Sequence, residues 1–298
     1  MDDEEGRKIL EAMKAATGPF IYDGLLFPPM PGIYPDPAKK FIEINDMECR
    51  DSDVFLCAFP KAGTNWAHES LGMLLHQSTD YNLVHPKNSF LEVLIDKNKD
   101  QESPRLFFTH LPFRYLPEQL RSGNGRIILV QRNPKDLHVS YYNFNKGKEN
   151  TMGKEKTWND FFEETLIRGE GELYGGWFTY TQEWEKETSN LINILPIYYE
   201  DMKKDLSGEV MKIAEFLGIS CSRELAQNIS DKCSFDNLKK NRHDPSKLIN
   251  KPGVDTSLFR RGQVGDWKNW FTVSQDERFD ELYNEKMKDS KILFTYEL

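Results

Sequence analysis

Three groups of residues have the types and spacing for chemistry on a small anion. The first is Lys61-Ala62-Gly63-Thr64-Asn65, a small polar loop with one cation. It follows Asp53 to Phe59, short and mostly apolar as a buried central strand requires, and Pro60 stops that strand. From Trp66 on, Leu71, Leu74 and Leu75 recur at helical spacing. A strand feeding a glycine-containing loop at a helix N-terminus presents free N–H groups and the positive end of a helix dipole. Lys61 and the Thr64 hydroxyl add donors, so the loop reads as a cradle for a phosphate or sulfate group of a nucleotide. It does not match the common GxxxxGK[ST] loop, because its lysine precedes its glycine. By spacing alone, an ordinary strand–helix turn serves equally well.

The second group is His110 in Thr109-His110-Leu111-Pro112, where an imidazole with a pKa near neutrality suits proton transfer. The third is a set of cations, Arg132, Lys135, Arg260, Arg261 and Lys268, available for a local positive pocket. They stand in a chain of net charge −9, which opposes general nucleic-acid binding and leaves a small anionic ligand open.

The elements that must position these groups alternate in type. Arg105 to Thr109 and Gly125 to Arg132 read as strands, and Asn133-Pro134 starts a helix over 134–145. Residues 146–157 read as a flexible loop, and Trp158 to Arg168 and Trp177 to Lys186 as helices. Leu191 to Tyr199 is a strand, and Leu206, Val210, Ile213, Ala214 and Leu217 form a helical stripe closed by Gly218. Cys233 to Lys240 is a short helix, an irregular stretch follows to Lys268, and Ser274 to Lys288 is a closing helix. At the other end, residues 1–14 read as a short helix. Pro28, Pro29, Pro31, Pro35 and Pro37 then make an extended segment that is neither helix nor central strand.

Such alternation implies an α/β fold with a mostly parallel sheet flanked by helices, and ligands at the carboxyl ends of its strands. Residues 61–66, His110, Arg132 and Tyr199 each follow a predicted strand, so they are expected to form one composite site. The four cysteines show neither CxxC nor zinc spacing, which points to reduced thiols and no metal. No apolar run approaches the roughly 20 residues of a membrane span. The acidic Met1-Asp-Asp-Glu-Glu-Gly start is unlike a secretory or mitochondrial leader. The expected location is cytoplasmic.

Four stretches, FPKAGTNW (59–66), RNPKDLHVSYYNF (132–144), YYEDMKKDL (198–206) and FRRGQVGDWKNWFT (259–272), together resemble the cytosolic sulfotransferases. The resemblance runs in order from about residue 50 to the C-terminus. It implies one sulfotransferase domain over 1–298, with a fold related to nucleotide kinases. Residues 1–40 would wrap it as a Pro-rich extended segment, and 233–273 would cover the nucleotide. The family moves a sulfuryl group from 3′-phosphoadenosine 5′-phosphosulfate (PAPS) to a hydroxyl or amine, leaving PAP, without a metal. Lys61, Ala62, Gly63, Thr64, Asn65 and Trp66 match its 5′-phosphosulfate loop, with Lys61 neutralising the bridging oxygen and Trp66 stacking on adenine. Arg132, Ser140, Arg260, Arg261 and Gly262 match its 3′-phosphate contacts, and Tyr199, Ser234 and Phe235 its adenine pocket. His110 matches the catalytic base.

This chain departs from the pattern at three positions. Phe108 stands where the family usually has a lysine that helps bind the transferring group, Ala62 replaces a serine, and Cys233 replaces a threonine that would hydrogen-bond adenine. Position alone suggests Phe20, Phe90, Phe108, Tyr142 and Phe144, with Tyr22 and the 146–154 loop, for an acceptor pocket. Lys268 to Glu277 matches the family's KxxxTVxxxE dimerisation motif, so a homodimer is expected, with no nucleic-acid or membrane partner. The enzyme reading takes a small apolar acceptor such as a phenol, iodothyronine or steroid alcohol. The alternative is a PAPS- or PAP-binding protein whose catalysis is weakened by Phe108. A nucleotide kinase is a third reading, opposed by the missing GK[ST] loop.

Overall fold

Four short aliphatic runs build the centre of the molecule. In a computed structural model that describes residues 18–30, 33, 36–84, 89–93, 101–146, 156–241 and 259–298, these runs form one parallel sheet. Its strands are β3 (Val54–Ala58), β4 (Leu106–Thr109), β5 (Arg126–Gln131) and β6 (Ile194–Tyr198), in the order β4-β3-β5-β6. Every residue of β3 is buried, and five of the six of β5, as continuous apolar runs covered on both faces must be. The predicted strands were longer by one or a few residues at their ends. A two-stranded hairpin, β1 (Phe20–Tyr22) with β2 (Leu25–Phe27), stands apart.

Helices follow the strands. In chain order they are α1 (Pro37–Asn45), α2 (Thr64–His76), α3 (Glu118–Arg121), α4 (Pro134–Asn145), α5 (Trp158–Phe161) and α6 (Trp177–Asn190). Then come α7 (Tyr199–Lys204), α8 (Leu206–Leu217), α9 (Arg223–Lys232), α10 (Phe235–Asn241) and α11 (Val273–Lys286). Registers Cys57↔Thr109, Ala58↔Val130 and Gln131↔Tyr198 bring the carboxyl ends of all four strands to one edge. At the opposite end, Arg105 and Asp53 make a buried ion pair, and the Arg50 N–H also donates to Asp53, at 2.8 Å.

The structure differs from the sequence reading in several places. Pro37 belongs to a helix, not to the extended proline segment that was to run through residue 40. It occupies the first turn of α1, where a missing N–H costs nothing, and Asp36 caps the turn by accepting from Lys39 N–H. The helix after the first strand starts at Thr64 rather than Trp66. Trp158 to Arg168 begins as α5 and widens into a π-helical stretch over Phe162–Ile167, so that the adjacent Phe161 and Phe162 are both fully buried. Helix α9, capped by Ser222, and the β1–β2 hairpin have no counterpart in the sequence reading. The helix expected over 1–14, most of the 146–157 loop and residues 242–258 lie outside the described residues.

Candidate active site

The polar loop after β3 has an unusual backbone. Lys61 has φ +72° and Gly63 φ +113°, both in the left-handed half of conformational space. At Gly63 a side chain is excluded twice over, because a Cβ would lie 2.8 Å from the Tyr199 ring. Lys61 is held in this conformation by Arg132, whose Nη1 donates to its carbonyl at 3.1 Å. Arg132 Nη2 reaches the Gln263 carbonyl at 3.4 Å, so one guanidinium ties the first loop to the distant one. Its carbon lies 4.1 Å from the centre of the Tyr199 ring, and Tyr199 meets Trp66 edge-on at 5.4 Å. Lys61 Nζ lies 4.1 Å over the Phe144 ring.

Three buried polar atoms around this loop make no hydrogen bond among the described residues: Thr64 Oγ1, Trp66 Nε1 and Arg132 Nε. Buried donors in native proteins are almost always satisfied. A cluster of unused donors at the N-terminus of the 13-residue α2 fits a polyanionic ligand such as a nucleotide phosphosulfate.

The far loop is shaped by carboxylates. Asp136, buried near the start of α4, accepts from Gly265 N–H at 2.7 Å and Trp267 N–H at 2.9 Å. Asp266 pairs with Arg260 at 2.5 Å and Arg261 at 2.8 Å. Burial pushes the Asp266 carboxyl up, but its bonds to Arg260 and Asn269 and the two guanidinium charges win and hold it low. Gly262, at φ +62°, passes so close to Phe235 that a Cβ would sit 2.2 Å from its ring. Ser234 lies between Phe235 and Cys233 at the join of α9 and α10. Cys233 is fully buried and its thiol faces Met73 Sδ at 3.8 Å, inside the core and not toward the loop. Ser140 is partly exposed on α4.

His110 follows β4 and stands beside the 61–65 loop, where the Lys61 charge reaches it. Its Nδ1 is 2.8 Å from the Ala58 carbonyl, which can only accept, so Nδ1 carries the hydrogen and Nε2 is the bare nitrogen. The near-neutral pKa expected of it is not what the structure gives. Burial pulls it down to about 4, against the Ala58 bond and with help from the Lys61 charge. Phe90, Phe108 and Tyr174 crowd the ring, with centroids 5.8, 6.4 and 6.2 Å away. Phe108 lies parallel to Phe90 at 4.5 Å and 2°. Two stacked rings stand at the position where the resemblance implies a lysine.

The aromatic candidates divide. Phe90 and Phe108 touch the His110 ring, and Phe20 connects to it through Phe27 and Tyr174. Tyr142 does not belong with them. It is buried against Trp158, Phe161 and Trp270, and its hydroxyl donates to the Lys156 carbonyl at 3.2 Å. Two neighbours of His110 were missed. Tyr174 sits in the Gly-rich turn before α6 and had no distinguishing signal. Glu92 had one: it is a lone carboxylate in the apolar run Phe90 to Ile95. Among the described residues no cluster of His, Cys, Asp and Glu has the make-up of a metal site, and no helix is long and apolar enough to cross a membrane.

Residues 51–291 match the family model described as a sulfotransferase domain. The chain is 33% identical to human sulfotransferase 1C2 over 281 residues, 89% of this chain and 93% of that protein. It is 35% identical to an amine sulfotransferase of rabbit (Oryctolagus cuniculus), covering 87% and 89%. Among solved structures, mouse sulfotransferase SULT7A1 complexed with PAP superposes with a TM-score of 0.74 at 30% identity, covering 92% of this chain and 96% of the other. Retinol dehydratase with androsterone and inactive cofactor PAP shares the fold, with a TM-score of 0.71 at 19% identity and 99% and 96% coverage.

Proposed function

The chain belongs to the sulfotransferase family, and from that premise we propose that it moves a sulfuryl group from PAPS to the hydroxyl or amine of a small apolar acceptor, with His110 as base. The observation that carries this reading is the bare Nε2 of His110 beside a loop whose Thr64, Trp66 and Arg132 hold unused donors. PAPS, when bound, supplies the sulfuryl group on its 5′-phosphate. Lys61, Ala62, Gly63, Thr64 and Asn65 hold that end, and Trp66, Tyr199, Ser234 and Phe235 enclose the adenine. Arg132, Ser140, Arg260, Arg261 and Gly262 take the 3′-phosphate. His110 Nε2 accepts the proton of the acceptor hydroxyl. Lys61 keeps positive charge where the leaving phosphate gathers negative charge, the kind of stabilisation worth roughly 10²–10³ in rate. The aromatic wall of Phe90, Phe108 and Tyr174 favours an apolar, uncharged acceptor. We place the protein in the cytoplasm and expect a homodimer through Lys268 to Glu277.

One observation favours a second reading, a PAP-binding protein with little catalysis. Phe108, stacked on Phe90, stands at the position where the resemblance implies a second lysine, which leaves Lys61 without that added charge. Transfer from labelled PAPS to a panel of phenols and alcohols separates the two, with PAP binding measured by calorimetry. The enzyme reading expects an active wild type, and His110→Ala with rate reduced about 10²–10⁴-fold and PAP affinity kept. The second reading expects wild type to bind PAP without transfer and Phe108→Lys to restore it. A chain that binds no PAP sinks both.

A further inference from the structure

We propose that Glu92 is a positioning residue for His110, a fully buried carboxyl that closes the β4 ladder and fixes how the imidazole is presented. The inference rests on the base role proposed for His110. Residues 89–93 run along the open edge of β4: Phe108 N–H donates to the Ser89 carbonyl at 2.7 Å, and Leu91 N–H to the Phe108 carbonyl at 2.9 Å. A parallel ladder would next offer a carbonyl to His110 N–H. The chain instead turns away, with Val93 N–H bonded back to Phe90 at 3.0 Å, and Glu92 Oε1 takes the His110 N–H at 2.8 Å. His110 is thus gripped twice. Glu92 holds its backbone from one side, and the Ala58 carbonyl of β3 holds Nδ1 from the other. The first bond sets where the Cα stands, the second which way the ring turns, and together they leave Nε2 outward.

A carboxylate is an expensive choice for this task. Glu92 is 0% exposed, and its second oxygen, Oε2, has no hydrogen bond among the described residues. A backbone carbonyl or a glutamine amide would hold the same N–H without titrating. Besides His110, Glu92 feels the Thr109 hydroxyl of β4, Cys57 of β3, Tyr174 in the turn before α6, Tyr180 of α6 and Lys40 of α1. Burial outweighs the His110 and Thr109 bonds and raises the carboxyl to about 7. Both forms are therefore present at neutral pH. The neutral form keeps Oε1 as an acceptor. The ionised form grips the N–H with a charge-assisted bond and leaves a buried charge on Oε2. The grip on His110 then changes across neutrality, although the ring itself stays uncharged there. With a folded pKa raised above the unfolded one, the Glu92 contribution to stability is full in acid, below the ordinary carboxylate pKa, and is lost as pH rises through about 7.

The test is ¹⁵N and ¹H imidazole NMR of His110 in the full-length wild type, Glu92→Gln and Glu92→Ala, titrated across neutrality with no ligand added. Steady-state kinetics and PAP affinity are measured alongside. The wild type should keep the Nδ1–H tautomer and show a step in its ring signals near pH 7. Glu92→Gln should lose the step and keep the tautomer and most of kcat, and should gain melting temperature relative to wild type as pH rises. Glu92→Ala should mix tautomers and lower kcat by about 10²-fold, the scale of a small misplacement, with acceptor KM and PAP affinity unchanged. A step that persists in Glu92→Gln overturns the proposal, and this arm decides even if Glu92→Ala fails to fold. A Glu92→Ala protein with unaltered ring signals and kcat, or with PAP affinity falling in step with kcat, overturns it too. A wild type that neither binds PAP nor transfers sulfate overturns the functional reading, while the NMR arm still decides what holds the ring.

Discussion

His110 would titrate near 6.5 in water, and in the protein it is pulled to about 4 by burial. A lowered pKa keeps the imidazole neutral, and so able to accept a proton, at every pH above that value. The acid limb of kcat/KM that belongs to His110 is therefore expected near pH 4 and not near 6.5, as a pH–rate profile on the free enzyme reads directly. A limb at 6.5 would mean the ring is wetter than its aromatic surroundings imply. The weaker basicity has a compensation. Nε2 is bare at neutral pH because the lowered pKa keeps the ring uncharged and the Ala58 bond keeps its one hydrogen on Nδ1. The residue type alone suggested proton transfer, but the direction of the shift depends on Phe90, Phe108 and Tyr174, which reach the ring from three separate segments.

Elements, not single side chains, bring the two halves of the proposed nucleotide site together. Helix α4 carries Arg132 just before its start, and Asp136 in its first turn bonds two backbone N–H groups of the far loop. Lys135, also buried, ion-pairs with Asp276 and with Asp280 of α11, the latter at 2.6 Å, and sits over the Trp267 ring. The loop can follow this path only because Gly262 tolerates φ +62° with Phe235 against it. Gly262→Ala is expected to cost about 1–3 kcal/mol in urea unfolding and to weaken PAP binding by pushing the Phe235 ring aside. Unchanged PAP affinity would mean that Phe235 does not face the nucleotide. The strands and main helices were legible because buried runs and 3.6-residue stripes are local signals, and so was the clustering of 61–66, His110, Arg132 and Tyr199, because parallel strands share one edge. Tyr142 packs against Trp158, Phe161 and Trp270, and nothing local in the sequence distinguishes such a packed aromatic from one that lines a pocket. Glu92 was missed because its importance arises where an edge segment leaves β4, a junction with no sequence pattern of its own.

At the scale of the whole molecule, the stretch from Lys268 to Glu277 carries the expectation of a homodimer. Part of that motif is already engaged within the chain: Lys268 pairs with Glu297 at 2.6 Å, and Thr272 caps α11 in a reciprocal box with Gln275. Val273 is left 77% exposed, a large apolar side chain with no cover of its own. Val273→Glu is expected to convert a dimer into a 34.8 kDa monomer in sedimentation while leaving PAP affinity intact. A wild type that sediments as a monomer at high concentration removes the dimer from consideration. The sheet itself has a further consequence, for how the molecule comes into being. All three pairings of the four-stranded sheet are parallel, so no tight turn joins any two neighbours, and each contact spans a long stretch of chain. Such topologies pay loop-closure entropy before they are rewarded, and they fold slowly. Lys61, His110, Arg132 and Tyr199 stand on four different strand ends and come together only when the last strand has docked. A nascent or partly folded chain therefore has no weaker version of the site, and affinity for the nucleotide arrives late and all at once.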